Sequence, residues 1–151
     1  MILDERTEFF DAVNCQNEAG SDLIGDVIDL GIANRDPGNG QPLYLVIVVD
    51  TAADGGAGTN GTTAFQLASD SIAAVAVDGS QTIHFTSKPH VLTDLTAGAT
   101  FVFPLPVSGL DYERYLGVQT VQAVEGEDAL VASAFLTLDP TGWRAMADAA
   151  N

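Results

Sequence analysis

Two histidines, one cysteine and an arginine set between tyrosines are the residues whose types and spacing suggest chemistry. His84 and His90 stand six positions apart with Pro89 between them. That is no recognised metal-ligand spacing. His84 falls mid-strand, where a solvated or partner-facing side is expected, and His90 follows the proline at a loop start. Cys15 is the only cysteine, so an intramolecular disulfide and a thiolate zinc site are excluded, and a small buried hydrophobe is expected. No G-x-S-x-G, H-E-x-x-H or C-x-x-C pattern occurs. The stretch "DGGAGTNGTT" has the glycines of a phosphate loop but neither its lysine nor a following helix pattern. Aspartates in "DPGNGQ" and "DTAADGG" do not follow the EF-hand spacing. Carboxylates are abundant, yet nothing singles out a pair at glycosidase distance. The inventory predicts no catalytic residue, no metal and no cofactor.

Charge narrows the partners. The chain has 151 residues, 21 acidic and 5 basic, for a formal charge of -16. Such a surface repels phosphate backbones and anionic lipid, so neither nucleic acid nor a membrane is expected as partner. Solubility and complementarity to a basic protein surface both remain as readings of the acidity. The N-terminus has no basic region followed by an apolar stretch. The apolar run Leu43–Val49 is too short to cross a bilayer. Cytoplasmic synthesis is expected.

The elements that would position these residues are short strands. "DLIGDVIDLG" predicts a first strand ending at Gly31, and "NRDPGNGQP" a loop. "LYLVIVVDT" is apolar on both faces, as in a central strand. "TTAFQLASD" alternates. "SIAAVAVDGS" is open between helix and strand. "QTIHFTSK" predicts a strand with Ile83 and Phe85 on one face and His84 on the other. "GATFVFPLPV" predicts a strand that stops, or lies at an edge, at Pro104. Tyr112–Val124 and Ala129–Asp139 predict two strands joined as a hairpin by the acidic turn Glu125–Asp128. Asp139 and Pro140 could open a short helix presenting Trp143, Met146 and Ala147. This pattern predicts an all-β antiparallel sandwich with the jelly roll as leading form. It divides into an extended arm over 1–12, a sandwich over 13–139 and a C-terminal helix or tail over 140–151.

In "DYERYLGV", Tyr112, Arg114, Leu116 and Val118 share one strand face. Leu116 and Val118 belong in the core, so Arg114 is expected at the sandwich rim, its stem on apolar surface and its head reaching out. An ion pair there competes with an interface or ligand contact flanked by the tyrosines.

Four features, in order, carry a resemblance over nearly the whole chain: "MILDERTEFFDA", "DVIDLG" followed by "PLYLVIVVDTA", "ERYLGV", and "LDPTGWRA". The chain resembles the jelly-roll capsid cement, or decoration, proteins of tailed bacteriophages, of the kind described on a Bordetella podophage head. The middle departs from the pattern, and Gly117 stands where a larger polar residue is expected. The resemblance implies a non-enzymatic virion protein on the outer capsid surface, made in the host cytoplasm. Its partners would be the major capsid protein and itself, as a homodimer or homotrimer. The contact residues expected are Ile2, Leu3 and Phe9 in the arm, Tyr112, Arg114 and Tyr115 at the strand start, and Trp143 and Arg144 in the tail. A carbohydrate-binding β-sandwich is the alternative, since an Arg-Tyr-Leu strand also occurs in galactose-binding-like jelly rolls. The single Trp, outside the strands, makes a poor aromatic platform for sugar.

Overall fold

The computed structural model describes residues 5–15, 19–35, 37–38, 40–54, 61–105, 112–123 and 129–141. Among the described residues nine strands follow in chain order: β1 Glu8–Asn14, β2 Gly20–Asp29, β3 Tyr44–Thr51, β4 Thr62–Asp70, β5 Thr82–Thr86, β6 His90–Val91, β7 Thr100–Pro104, β8 Tyr115–Ala123 and β9 Val131–Thr137. One sheet has the order β1-β9-β3-β7. The other runs β2-β8-β4-β5, with β6 also paired to β4. Every pairing is antiparallel. The pairs β1–β9, β2–β8, β3–β7 and β4–β5 nest one inside the next. That nesting, split over two facing sheets, is the jelly roll expected from the sequence.

The core lies between the sheets. Leu45, Ile47 and Val49 of β3 face Phe65 and Leu67 of β4 and Leu116 and Val118 of β8, and all are buried. The unbroken apolar run of β3 has its counterpart in a second cluster on the outer face, where Val46, Val48 and Phe135 are buried together. The strand is therefore buried on both sides, as its composition requires.

Several expectations are corrected. Residues 8–12 are not an arm. They belong to β1, which pairs with β9, and Phe9 and Phe10 enter the core at 1% and 5% exposure. The ladder slips between Glu8 and Phe10 and again before Val13. These bulges let two adjacent phenylalanines both turn inward and erase the period-two pattern that marks a strand. Ile2 and Leu3 lie outside the described residues.

The strands β8 and β9 do not form a hairpin. β8 lies between β2 and β4, and β9 between β1 and β3. Pairing them side by side would leave their apolar faces in one sheet. Placing them in opposite sheets sets Leu116 and Val118 against the side of the core built by Ala132, Ala134 and Leu136. The turn Glu125–Asp128 lies outside the described residues.

The segment 71–80 is neither helix nor strand. It folds as bends over the outer face of the second sheet. Asp70 anchors it by accepting from the N–H groups of Ser71 and Ala76, at 2.6 and 3.1 Å. Gln119 donates to the Ala76 carbonyl at 2.6 Å. Gly117 gains a reason here. A Cβ at this position would lie 2.7 Å from Leu23 and 3.4 Å from Val27 and Val75, so the bare backbone leaves room for the Leu23 side chain, with Val27 and Val75 packed beside it.

At the end of β9, of the helix or tail expected over 140–151 only residues 140 and 141 are described, and Thr141 is in a turn, not a helix. Asp139 does accept from the Thr141 N–H at 3.0 Å. Trp143 and Arg144 lie outside the described residues.

Candidate interaction surfaces

Arg114 sits just before β8, at the rim. Its Nε and Nη2 donate to Oδ1 and Oδ2 of Asp29, both at 2.9 Å, in a bidentate pair. Its carbonyl accepts from the Leu30 N–H at 2.8 Å, and its guanidinium lies 4.9 Å from the centre of the Tyr115 ring. The Arg114 hydrogen bonds, helped by the Gly31 N–H, hold the Asp29 carboxyl down at about 2. Fork, carboxylate and backbone together lock the end of β2 to the start of β8. The remaining predicted residues scatter. Tyr112 is buried and stacked on His84, with ring centres 4.2 Å apart. Tyr115 is half-buried. Phe9 is core, and the structure does not bring it to a common surface with the tyrosines.

Beside this corner opens a cleft of about 720 Å³, lined by Arg6 and Arg35 over a floor that includes Ile28, Leu30, Leu43 and Leu136. Arg35 Nη1 donates to the Leu30 carbonyl at 2.9 Å. With Arg114, three of the five basic residues of the chain gather at this end.

A second polar group lies inside. His84 Nε2 and Ser69 Oγ are 2.7 Å apart, the geometry of a nucleophile and its base. Ser69, however, has no exposed surface, and its Oγ already accepts from the Glu113 N–H at 3.0 Å. A substrate carbonyl cannot reach it, so the pair ties β4, β5 and the approach to β8 together. His84 is 9% exposed, against the expectation of a solvated or partner-facing side. The cause is a bulge. Leu67 pairs with Phe85 and the next residue, Ala68, with Ile83, which leaves His84 as the extra residue and turns Ile83 outward. His90 is buried too, between Phe65 and Phe101, with both ring nitrogens lacking a hydrogen bond. Asp94 approaches its Nδ1 only to 3.9 Å.

Burial lowers the pKa of both histidines. The charge of Glu113 opposes this at His84. At His90, Lys88 adds to the lowering and Asp94 opposes it. The unfolded chain then binds protons that the fold excludes. Stability from neutral His90 is complete above the ordinary histidine value of about 6.5 and is lost as pH falls below it. The difference in urea midpoint between wild type and a His90→Gln variant should therefore shrink from pH 8 to pH 5. A constant difference would contradict a buried neutral imidazole.

Cys15 is fully buried, and burial pushes its thiol up to about 12. Among the described residues no cluster of three or more His, Cys, Asp or Glu is placed to hold a metal ion.

The open side of the sandwich is different in character. β5 and β7 end their sheets there. Phe85 and Phe103 meet across the gap at 4.6 Å, and Phe101 stacks on Phe103 at 6.4 Å. Ile83, Val91 and Val102 are 46%, 47% and 41% exposed along these edges. Neither β5 nor β7 contains a carboxylate, in a chain with 21. No motif announces this apolar margin; its signal was the uncharged run "TFVFP" itself.

A family model described as Bbp16 matches residues 13–135, from the end of β1 into β9. The chain belongs to the Bbp16 family. The name points to a Bordetella phage protein, and a phage-linked family on a β-sandwich is compatible with a structural virion protein. No curated protein matches the chain. For this Bbp16 protein the match covers both sheets, so the arginine corner and the open edge both lie inside the family domain.

Proposed function

We propose that this Bbp16 protein is a capsid cement protein, a non-enzymatic virion component that binds the outer surface of the phage head and holds neighbouring major capsid subunits together. The family match over the sandwich carries the reading. Three structural features support it. The one nucleophile–base geometry described is sealed from solvent. The arginine corner is held by a bidentate pair and lies exposed at the rim, its two side chains 46% and 44% open. The acidity is spread over a surface with an apolar margin, a combination that suits steering by charge and retention by packing. Self-association as a homo-oligomer belongs to the same proposal.

A mixed contact of this kind has a measurable salt response. Surface plasmon resonance on emptied heads should show an on-rate that falls between 0.1 and 1 M salt, as the Debye length shrinks from about 10 Å to about 3 Å. The off-rate should change much less. No binding to heads at either salt, with measurable binding to glycans by calorimetry, would replace the cement reading by the carbohydrate-binding one.

A further inference from the structure

The edge strand β7 reads Thr-Phe-Val-Phe-Pro, nearly symmetric about Val102. Its backbone polarity can be assigned. The Leu105 N–H donates to Leu43 at 2.8 Å, and Ala99 accepts from the Val49 N–H at 2.9 Å. By alternation Ala99, Phe101, Phe103 and Leu105 turn their backbone groups toward β3. Thr100 and Val102 turn theirs to the open edge. Pro104 also falls on the outward set, where its missing N–H removes no ladder bond. The side chains divide likewise: Phe101 and Phe103 pack against the core, and Val102 is exposed.

We propose that β7 pairs with β7 of a second copy of this chain, antiparallel, on a two-fold axis through Val102. In that register the two Val102 residues exchange N–H and C=O bonds. Each Thr100 N–H meets the Pro104 carbonyl of the second copy, and Phe101 lies opposite Phe103. The sequence symmetry selects a second copy over an unrelated strand, because one strand supplies both halves of an isologous contact. Charge selects the same place. Two chains of -16 repel over most of their surface, and β7 has no carboxylate. Proline ends the pairing after one short stretch and the two-fold consumes both edges, so the assembly closes at a dimer instead of growing.

The inference does not rest on capsid binding. Its tests use the full chain. Sedimentation equilibrium should show a dimer at micromolar concentration. Val102→Glu, which sets two carboxylates face to face, should weaken it about tenfold or more while leaving the thermal midpoint of the monomer unchanged. Val102→Cys supplies a second readout. Opposed residues of a bonded antiparallel pair lie about 5.5 Å apart at Cα, within disulfide reach. Mild oxidation should give a covalent dimer far faster than for Ile32→Cys, an exposed control on the arginine side; native Cys15 is buried. A monomeric wild type, a Val102→Glu protein that dimerises like wild type, or cysteine variants that cross-link equally would each overturn the proposal. A dimer of this register that ignores phage heads would leave it standing and remove the cement reading. Head binding by a chain that never pairs through β7 would do the reverse.

Discussion

Phe9→Ala is expected to lower the unfolding free energy by about 3–5 kcal/mol, the range for emptying a buried phenylalanine site. The side chain is 1% exposed and belongs to the main core cluster. Its strand is held by β9 on one side, with the Cys15 N–H donating to Leu130 at 2.8 Å just beyond its end. Removing residues 1–10 should be worse, because Phe9 and Phe10 leave together. Urea melts of Phe9→Ala and of Ile32→Ala, a 66% exposed control, separate the cases. The control should stay within about 0.5 kcal/mol of wild type. A Phe9 variant as stable as the control would return these residues to a free arm. The expectation also constrains capsid experiments: an N-terminal truncation that fails to bind would report unfolding and say nothing about contact.

Gly25→Ala should cost about 3 kcal/mol or more. Gly25 has φ +67°, and a Cβ there would lie 2.6 Å from the Phe10 Cβ and 2.7 Å from the Phe9 carbonyl oxygen. The second neighbour is backbone and cannot rotate away. Strain from a left-handed non-glycine residue, about 1–2 kcal/mol, adds to overpacking of about 1–3 kcal/mol. Gly79→Ala isolates the first effect, since Gly79 has φ +97° with nothing within 4 Å of the built Cβ. Guanidinium melts should rank the wild type first, Gly79→Ala next and Gly25→Ala well below both. Equal losses in the two variants would mean that β1 and β2 do not approach at Gly25 as described. The test probes the closed side of the sandwich, where these two strands meet.

Particular residues decided what the sequence could reveal. β3 was legible because Leu43–Val49 is apolar at every position, and only a strand buried on both faces tolerates that. Pro104 marked an edge because it has no donor to give a ladder. Arg114 belongs at the rim because Leu116 and Val118 claim the core side of its strand. What stayed hidden has a common physical origin in broken alternation and long-range pairing. Bulges in β1 bury Phe9 beside Phe10, and a bulge in β5 turns His84 inward. Neighbours in sequence, β8 and β9, part company because each has two better partners in opposite sheets. The Ser69–His84 contact joins residues on different strands through that same bulge, so no spacing pattern foretells it.

Mechanical protection of the head tests the proposed cement role most directly. Heads of the phage that encodes this chain, freed of the protein and still filled with DNA, can be heated with a dye that reports DNA release. Adding back the purified chain should raise the release temperature, in a saturable manner and with a fixed number of copies per head. A release temperature that does not move although the chain is folded and in excess would contradict the account.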